Sequence, residues 1–177
     1  MDSINQAQAE HHLENLSGAK AIEKLKELTK DRSCFFCTAD DGGATGGTRP
    51  MTVLEVDDNG DLWFLSASDS VKNAAIERSP SVKLYFKGSE HSEFLSLDGY
   101  ATITRDKEVI KRLWNFMLKT WFTEGENDAR ITAIKVTPHD GYYWDTKHGN
   151  AVAGIKILVG ALIGKTLDDS IEGRIAR

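Results

Sequence analysis

The dipeptide Asn59-Gly60 lies between two runs of strand formers, Pro50 to Val56 and Leu62 to Leu65. Asn-Gly favours the left-handed backbone that a tight hairpin needs, so the two runs are predicted to pair antiparallel. The same hairpin-wise pattern extends along the chain. Cys34 to Thr38 is a short apolar run, and Val82, Leu84 and Phe86 alternate with polar or exposed positions. In Phe94 to Thr104, Leu95, Leu97, Gly99, Ala101 and Ile103 fall on one face. Gly99 and Ala101 are small, which predicts tight curvature or a close neighbour there. Ile131 to Val136 and Tyr142 to Trp144 read as two more extended segments, on either side of Pro138. Leu62 to Leu65 is apolar on both faces and is expected to be a covered central strand. Six or seven strands with few long connections predict a mainly β fold: an antiparallel barrel with peripheral α-helices, not a parallel βαβ sheet.

Helical periodicity is confined to the flanks and insertions. Asn5 to Lys30 reads as helix, with Ile22, Leu25 and Leu28 on one face and a break at Ser17-Gly18. Ser68 to Arg78 reads as a helix capped by Ser68 or Asp69 and stopped by Pro80. From Asp106 a helix is expected whose apolar stripe runs through Val109, Ile110, Leu113, Trp114, Met117, Leu118 and Trp121. Ala151 to Leu162 is a weaker helical candidate. The organisation read from this is a helical segment over 1–30, a barrel domain over 31–150, and a helical extension with a polar tail over 151–177. Within the tail, Ile171-Glu172-Gly173-Arg174 matches a protease recognition tetrapeptide and carries no functional reading.

Charge narrows the partners. A net charge of −5 and a pI near 5.5 argue against a general nucleic-acid binder, but leave room for a local basic pocket. No apolar run is long enough to span a bilayer, and no export signal is read at the start, so a cytoplasmic protein without a membrane partner is expected.

Several familiar chemistries lack a foothold. Cys34-x-x-Cys37 lies in a strand-like run, where residues three apart face opposite ways, so core packing is the expected role. None of His11, His12, His91, His139 and His148 forms a metal-spaced pair, and no metal site is expected. Gly42 to Thr48 is glycine-rich but leads through Arg49-Pro50 into a strand, unlike a phosphate loop that enters a helix. Leu62 to Lys72 is more informative. A buried strand gives way to a helix start, which suits an anion. Lys72 stands in the first helical turn, where a cation is unfavourable unless an anion is bound; a capped helix carrying a solvated lysine is the other reading of the same residues. Ser68 and Ser70 add hydroxyls, and Arg49 begins a strand close enough in the fold to reach the same place.

Thr48-Arg49-Pro50-Met51-Thr52 and Leu62 to Lys72 together resemble the flavin-binding segments of the pyridoxamine 5′-phosphate oxidase-like family, and within it the general stress protein 26 branch. Ser81 to Phe86, Leu97-Asp98-Gly99-Tyr100-Ala101, Trp114, Trp121-Phe122 and Tyr143-Trp144-Asp145 follow in matching order. The resemblance implies a split-barrel homodimer with FMN at the subunit interface, FAD being the alternative. Arg49, Ser70 and Lys72 would hold the phosphate, with Val71 beside them. Pro50, Met51 and Thr52 would run along the ring, and Leu65 and Ser66 would line the ring or the ribityl chain. Trp121 and Trp144 would come from the partner subunit. Two features depart from the vitamin-making oxidases. Val71-Lys72 stands where they carry Arg-Lys, and no Arg-x-His-Asp-Arg segment follows Trp144. The implied function is an FMN-dependent oxidoreductase with a small-molecule electron donor or acceptor, a stress-related role and no assigned acid or base. A flavin-storing stress protein is the alternative, and haem or a deazaflavin the other cofactors weighed. Trp63, Trp114, Trp121, Trp144 and seven phenylalanines also point to an aromatic dimer interface of more than about 2,000 Å².

Overall fold

The computed structural model describes residues 13–29, 33–39, 47–88, 93–146 and 170–176. Readings that fall on 1–12, 30–32, 40–46 and 147–169 lie outside them. These include the first part of the N-terminal helix, the glycine-rich loop and the helix read over Ala151 to Leu162.

The strands are β1 (Leu16–Ser17), β2 (Ser33–Thr38), β3 (Thr48–Thr52), β4 (Glu55–Val56), β5 (Leu62–Ala67), β6 (Ser81–Lys87), β7 (Phe94–Thr104), β8 (Ile131–Thr146) and β9 (Ser170–Ala176). The helices are α1 (Gly18–Thr29), α2 (Val71–Arg78) and α3 (Lys107–Leu113). The fold is mainly β, as the alternation predicts, and every strand pair is antiparallel except β1 with β9.

β8 is the spine. One side pairs with β7 along its length, from Phe94 opposite Trp144 to Thr104 opposite Ala133. Its other side pairs first with β5, over Ile131 to Val136, and then with β9, over Tyr142 to Thr146. Beyond β7 the order is β6, β2, β3. Among the described residues the sheet therefore does not close by hydrogen bonding: β3 ends one side, and beyond β8 the other side ends in two branches, β4 after β5 and β1 after β9. Only Val53 and Leu54 join β3 to β4. A link that short spans at most about 11 Å, so the two ends of the sheet must curl towards each other.

The predicted hairpin is present. Asp57 Oδ1 accepts from the backbone N–H groups of Asn59 and Asp61 at 2.9 and 3.0 Å, and Gly60 takes φ +78°. This is the Asx-type turn that the Asp-Asp-Asn-Gly run encodes. The strand read as continuous from Pro50 to Val56 breaks at Val53-Leu54, where the chain crosses between the two ends of the sheet. The two segments read around Pro138 are one strand. A register shift between Asp98 and Gly99 places Gly99 opposite Pro138, and at such a bulge a missing proline N–H is tolerated. Gly99 is small for the expected reason: a Cβ there would lie 2.9 Å from Thr137 O.

α1 begins at Gly18, φ +57°, at the break read from the sequence, but Leu16–Ser17 just before it, read as helix, is strand paired to β9. Its buried Ala21, Leu25 and Leu28 pack on a core of Phe36, Leu62, Phe64, Leu84, Leu97 and Val136, with Phe36 and Phe64 edge-to-face at 5.4 Å. α3 is shorter than its apolar stripe suggests. It ends at Leu113, Trp114 is extended, and Asn115 Oδ1 accepts from Met117 N–H to start a separate 3₁₀ turn, Phe116–Thr120. The asparagine side chain offers the backbone a competing partner and resets the helix there. A second cluster, Leu65, Ile110, Leu113, Phe122, Ile131 and Ala133, fills the space beneath.

Ser170–Ala176, read as a polar tail, is strand. Glu14 N–H donates to Glu172 O at 2.8 Å, and Tyr143 Oη donates to Glu14 O at 2.9 Å. The tetrapeptide Ile171 to Arg174 is thus flanked by β8 on one side and residues 13–17 on the other. Gly173 has no room for a side chain, because a Cβ would overlap Glu14 O. Gly173→Ala is expected to destabilise the protein by about 1–3 kcal/mol through overpacking. Gly18→Ala, strained in backbone but sterically open, should lose about 1 kcal/mol. Urea midpoints that rank Gly18→Ala as the worse of the two would contradict this account.

Candidate functional site

The curl of the sheet leaves a cavity of about 560 Å³ where its ends approach. β3 supplies Pro50, Met51 and Thr52 to one wall, and β5 supplies Leu65, Ser66 and Ala67 to another. Leu54 of the link, Ser33 of β2, and Ser70 and Lys72 at the start of α2 add to the lining. Leu118, Trp121 and Phe122, from the segment after α3, complete it.

The start of α2 is fixed by a closed polar network. The N-cap is Ser70, not Ser68 or Asp69. Ser68 N–H is taken by Arg130 O at 2.7 Å and Ser70 N–H by Ala67 O at 3.1 Å, so the chain turns once more before the helix begins. Ser70 Oγ accepts from Asn73 N–H at 3.2 Å and lies 3.2 Å from Ser66 Oγ. Asn73, 1% exposed, donates from Nδ2 to Thr132 Oγ1 at 2.8 Å, and that hydroxyl donates to Ser66 O at 2.9 Å. A buried network with its partners satisfied is rigid. This one pins the first turn of α2 to β5 and β8, with the Ser66 and Ser70 hydroxyls on the cavity wall.

Lys72 is the anomaly within that frame. It is 6% exposed, in the first turn of a helix, where the macrodipole already disfavours a cation. Among the described residues its Nζ donates to a single acceptor, the Met51 thioether, at 3.2 Å. Burial, and then the like charge of Arg49, lower its pKa from 10.5 to about 8. Among the described residues the buried ammonium thus has a guanidinium near it and a weak sulfur acceptor, with no carboxylate bonded to it.

The sequence-read residues divide accordingly. Pro50, Met51, Thr52, Leu65, Ser66, Ser70, Lys72 and Trp121 line one cavity. Trp121 does so from the same chain, although the resemblance assigned it to a partner. Arg49 does not line the cavity but is near enough to Lys72 to act on its charge. Val71, 59% exposed, points away, and Trp144 sits on β8 opposite Phe94, outside the lining. Ser33, Leu54, Ala67, Leu118 and Phe122 line the cavity as well, although none of them was read as a site residue from the sequence. Leu118 and Phe122 belong to the turn where α3 was expected to continue. Cys34 packs in the core, where burial pushes its thiol up to about 12, and Cys37 faces the other way, accepting from Thr48 Oγ1 at 3.4 Å. Among the described histidines, His139 is exposed and packs on Tyr100.

Comparison with known proteins places this architecture. A model of the pyridoxamine 5′-phosphate oxidase-like family matches residues 20–168, and the chain belongs to that family. A general stress protein 26 from Jannaschia sp. CCS1 shares the fold, with a TM-score of 0.73 and 22% identity over 88% of this chain and 96% of its own. The general stress FMN/FAD binding protein of Xanthomonas citri superposes with a TM-score of 0.57 and 27% identity, over 67% of this chain and 82% of its own. Protein bli-3 of Neurospora crassa is 23% identical over 125 residues, 66% of this chain but 60% of that protein's length. No helix among the described residues is long and apolar enough to cross a membrane.

Lys72→Met keeps the length of the side chain and removes its charge. The variant without ligand is expected to be more stable than the parent by roughly 1–3 kcal/mol at neutral pH. The gap has a pH signature. The folded chain releases this proton near pH 8, whereas the unfolded lysine holds it to about 10.5. The parent's deficit is therefore complete below pH 8 and fades as pH rises towards 10.5. Denaturant titrations of both proteins across that range measure it. A Met variant less stable than the parent would refute the uncompensated charge.

Proposed function

We propose that this protein binds a flavin mononucleotide in the cavity and uses it for redox chemistry. The observation that carries the reading is the buried Lys72 ammonium with only the Met51 thioether as its described acceptor. A terminal phosphate beside it would supply the missing negative charge, with Arg49 as a second cation, the Ser66 and Ser70 hydroxyls as donors, and the N–H groups of the first turn of α2. One cationic end suits a single phosphate, which favours FMN over FAD. The Xanthomonas citri relative, described as an FMN/FAD binding protein, supports a flavin of either kind.

The walls suit the rest of such a ligand. β3 is an edge strand, paired only to β2 among the described residues. Pro50 lacks an N–H, and a proline on an edge strand sits where its nitrogen points off the sheet. By alternation, the backbone groups of Thr48 and Thr52 point the same way and are available to the polar edge of a ring. Leu65 gives apolar surface for a ring face. The volume lies within the ordinary range for cofactor sites.

When bound, the flavin supplies the electron-transfer chemistry, and the protein supplies position and electrostatics. Lys72 and Arg49 anchor one end. The Ser70 and Asn73 network holds Lys72 in place, and the apolar walls keep water from the opposite end. The same residues give little support to oxidation of pyridoxamine 5′-phosphate itself. A second phosphate would need a second cationic cluster, and Lys72 is the only charged residue among the described lining residues.

Phe116 and Met117, 82% and 77% exposed, stand on the outer side of the turn that carries Leu118 and Trp121. So much exposed apolar surface beside a ligand cavity fits a subunit interface. The proposed assembly is a homodimer with the flavin near the junction of the subunits, and a small molecule as electron donor or acceptor. Light scattering at micromolar concentration should give the dimer mass, and Phe116→Asp with Met117→Asp should give the monomer. A monomeric parent would remove the interface.

FMN and riboflavin titrations test the phosphate site. Lys72→Ala is expected to weaken FMN roughly tenfold to a hundredfold, corresponding to a charge-assisted bond of about 1.5–3 kcal/mol. Arg49→Ala should cost at least as much, and Arg49→Lys should restore only part. Riboflavin, which lacks the phosphate, should be nearly indifferent to Lys72→Ala. Equal losses for both ligands would remove Lys72 from the site.

A further inference from the structure

We infer that the apolar part of this cavity's lining seats a planar, uncharged electron acceptor of the quinone class, packed against the Trp121 indole. The inference rests on the flavin reading and adds the second substrate to it. The lining is of two kinds: Lys72, Ser66 and Ser70 are polar or cationic, whereas Leu54, Leu118 and Phe122 belong to one apolar cluster, with Trp121 next to Phe122 in the chain. Beside Lys72, none of the described lining residues titrates: the set contains no histidine, aspartate, glutamate, cysteine or tyrosine.

That composition selects the chemistry. Oxidising an alcohol is assisted by a base that takes the hydroxyl proton as the hydride leaves, and an amine that arrives as its cation must first give up a proton to one. The described apolar lining offers none, and a charged substrate would leave its ion unpaired there. A quinone needs neither. It takes up two electrons and two protons, one proton travelling with the electron pair as hydride and one from water. The reduced flavin is the reductant and returns to its oxidised form, and the product is the hydroquinone. Shape points the same way. Trp121 lines the cavity yet is 67% exposed, so one large aromatic surface stands uncovered at the mouth. Phe122, 5% exposed, is locked behind it against Trp114, with ring centroids 6.3 Å apart. A flat apolar ring gains stacking on such a surface and sacrifices no hydrogen bonds.

The probe is menadione, a naphthoquinone without charge or side chain. The protein is first saturated with FMN, the loading being read from the bound flavin's absorbance. Equilibrium dialysis should then show one saturable menadione site per chain. Trp121→Ala, at saturating FMN, should weaken it at least tenfold, and Trp121→Phe should recover most of the loss. Pyridoxamine 5′-phosphate should not compete. In stopped flow, the photoreduced holoprotein should be reoxidised by menadione at a rate that saturates with quinone concentration in the parent and rises linearly in Trp121→Ala. If FMN binds and menadione shows no saturable site, or binds the Trp121→Ala variant equally well, the acceptor assignment fails while the flavin reading stands. If FMN itself does not bind, both fall together.

Discussion

The two-residue link between β3 and β4 is the constraint on which the rest of the molecule depends. Among the described residues the sheet is open by hydrogen bonding, with β3 at one end and the β4–β5 branch at the other. Val53 and Leu54 tie those ends together, and Leu54 N–H donates to Trp63 O at 2.9 Å before β4 begins. An open sheet of this size would ordinarily splay with its twist. Tied at the seam, it curls, and the curl places β3 and β5 on two walls of one cavity. Val53 is 2% exposed and belongs to the main core, so the link is anchored by packing as well as by connectivity.

The seam also explains why a destabilising residue sits where it does. A closed barrel would fill this space with side chains and pair the edges of its strands. Here the gap is bordered by the start of α2, and the network through Ser66, Ser70, Asn73 and Thr132 holds that turn firmly enough to keep an ammonium buried with a thioether as its described acceptor. Local stability supplied by the network and local instability from Lys72 lie within a few residues of each other. Strain held by an over-determined frame and a perturbed pKa in a cavity both cluster at functional sites.

Much of this was legible in the sequence where the determining interactions are local. Asp57 to Gly60 encodes its own turn, Gly18 its own break, and Gly99 its close neighbour, because each depends on residues nearby in the chain. Lys72 stood out because a cation in a first helical turn contradicts a local electrostatic rule. What escaped depends on distant partners or on one competing side chain. β9 reads as a tail because its neighbours, β8 and β1, lie far away in sequence and its composition is polar. Leu118 and Phe122 were hidden by the assumption that an unbroken apolar stripe means an unbroken helix. Asn115 breaks it, and the break turns those two side chains towards the cavity. Trp144 shared the aromatic character of Trp121 but not its position, which only β7–β8 pairing fixes.

Among the described residues β3 leaves one edge unpaired. An exposed strand edge invites pairing with another chain, and natural sheets protect such edges with proline, charge, short length or cover. β3 has three of these: five residues, Pro50 at its centre and Arg49 beside it. Pro50 removes one outward donor and so interrupts any ladder a foreign strand could form. The same substitution leaves the remaining outward groups of β3 irregularly spaced, which suits a small heterocycle better than a strand. The residue that interrupts the edge against a foreign strand is thus also one that lines the cavity. Both properties follow from a proline placed where the sheet fails to close.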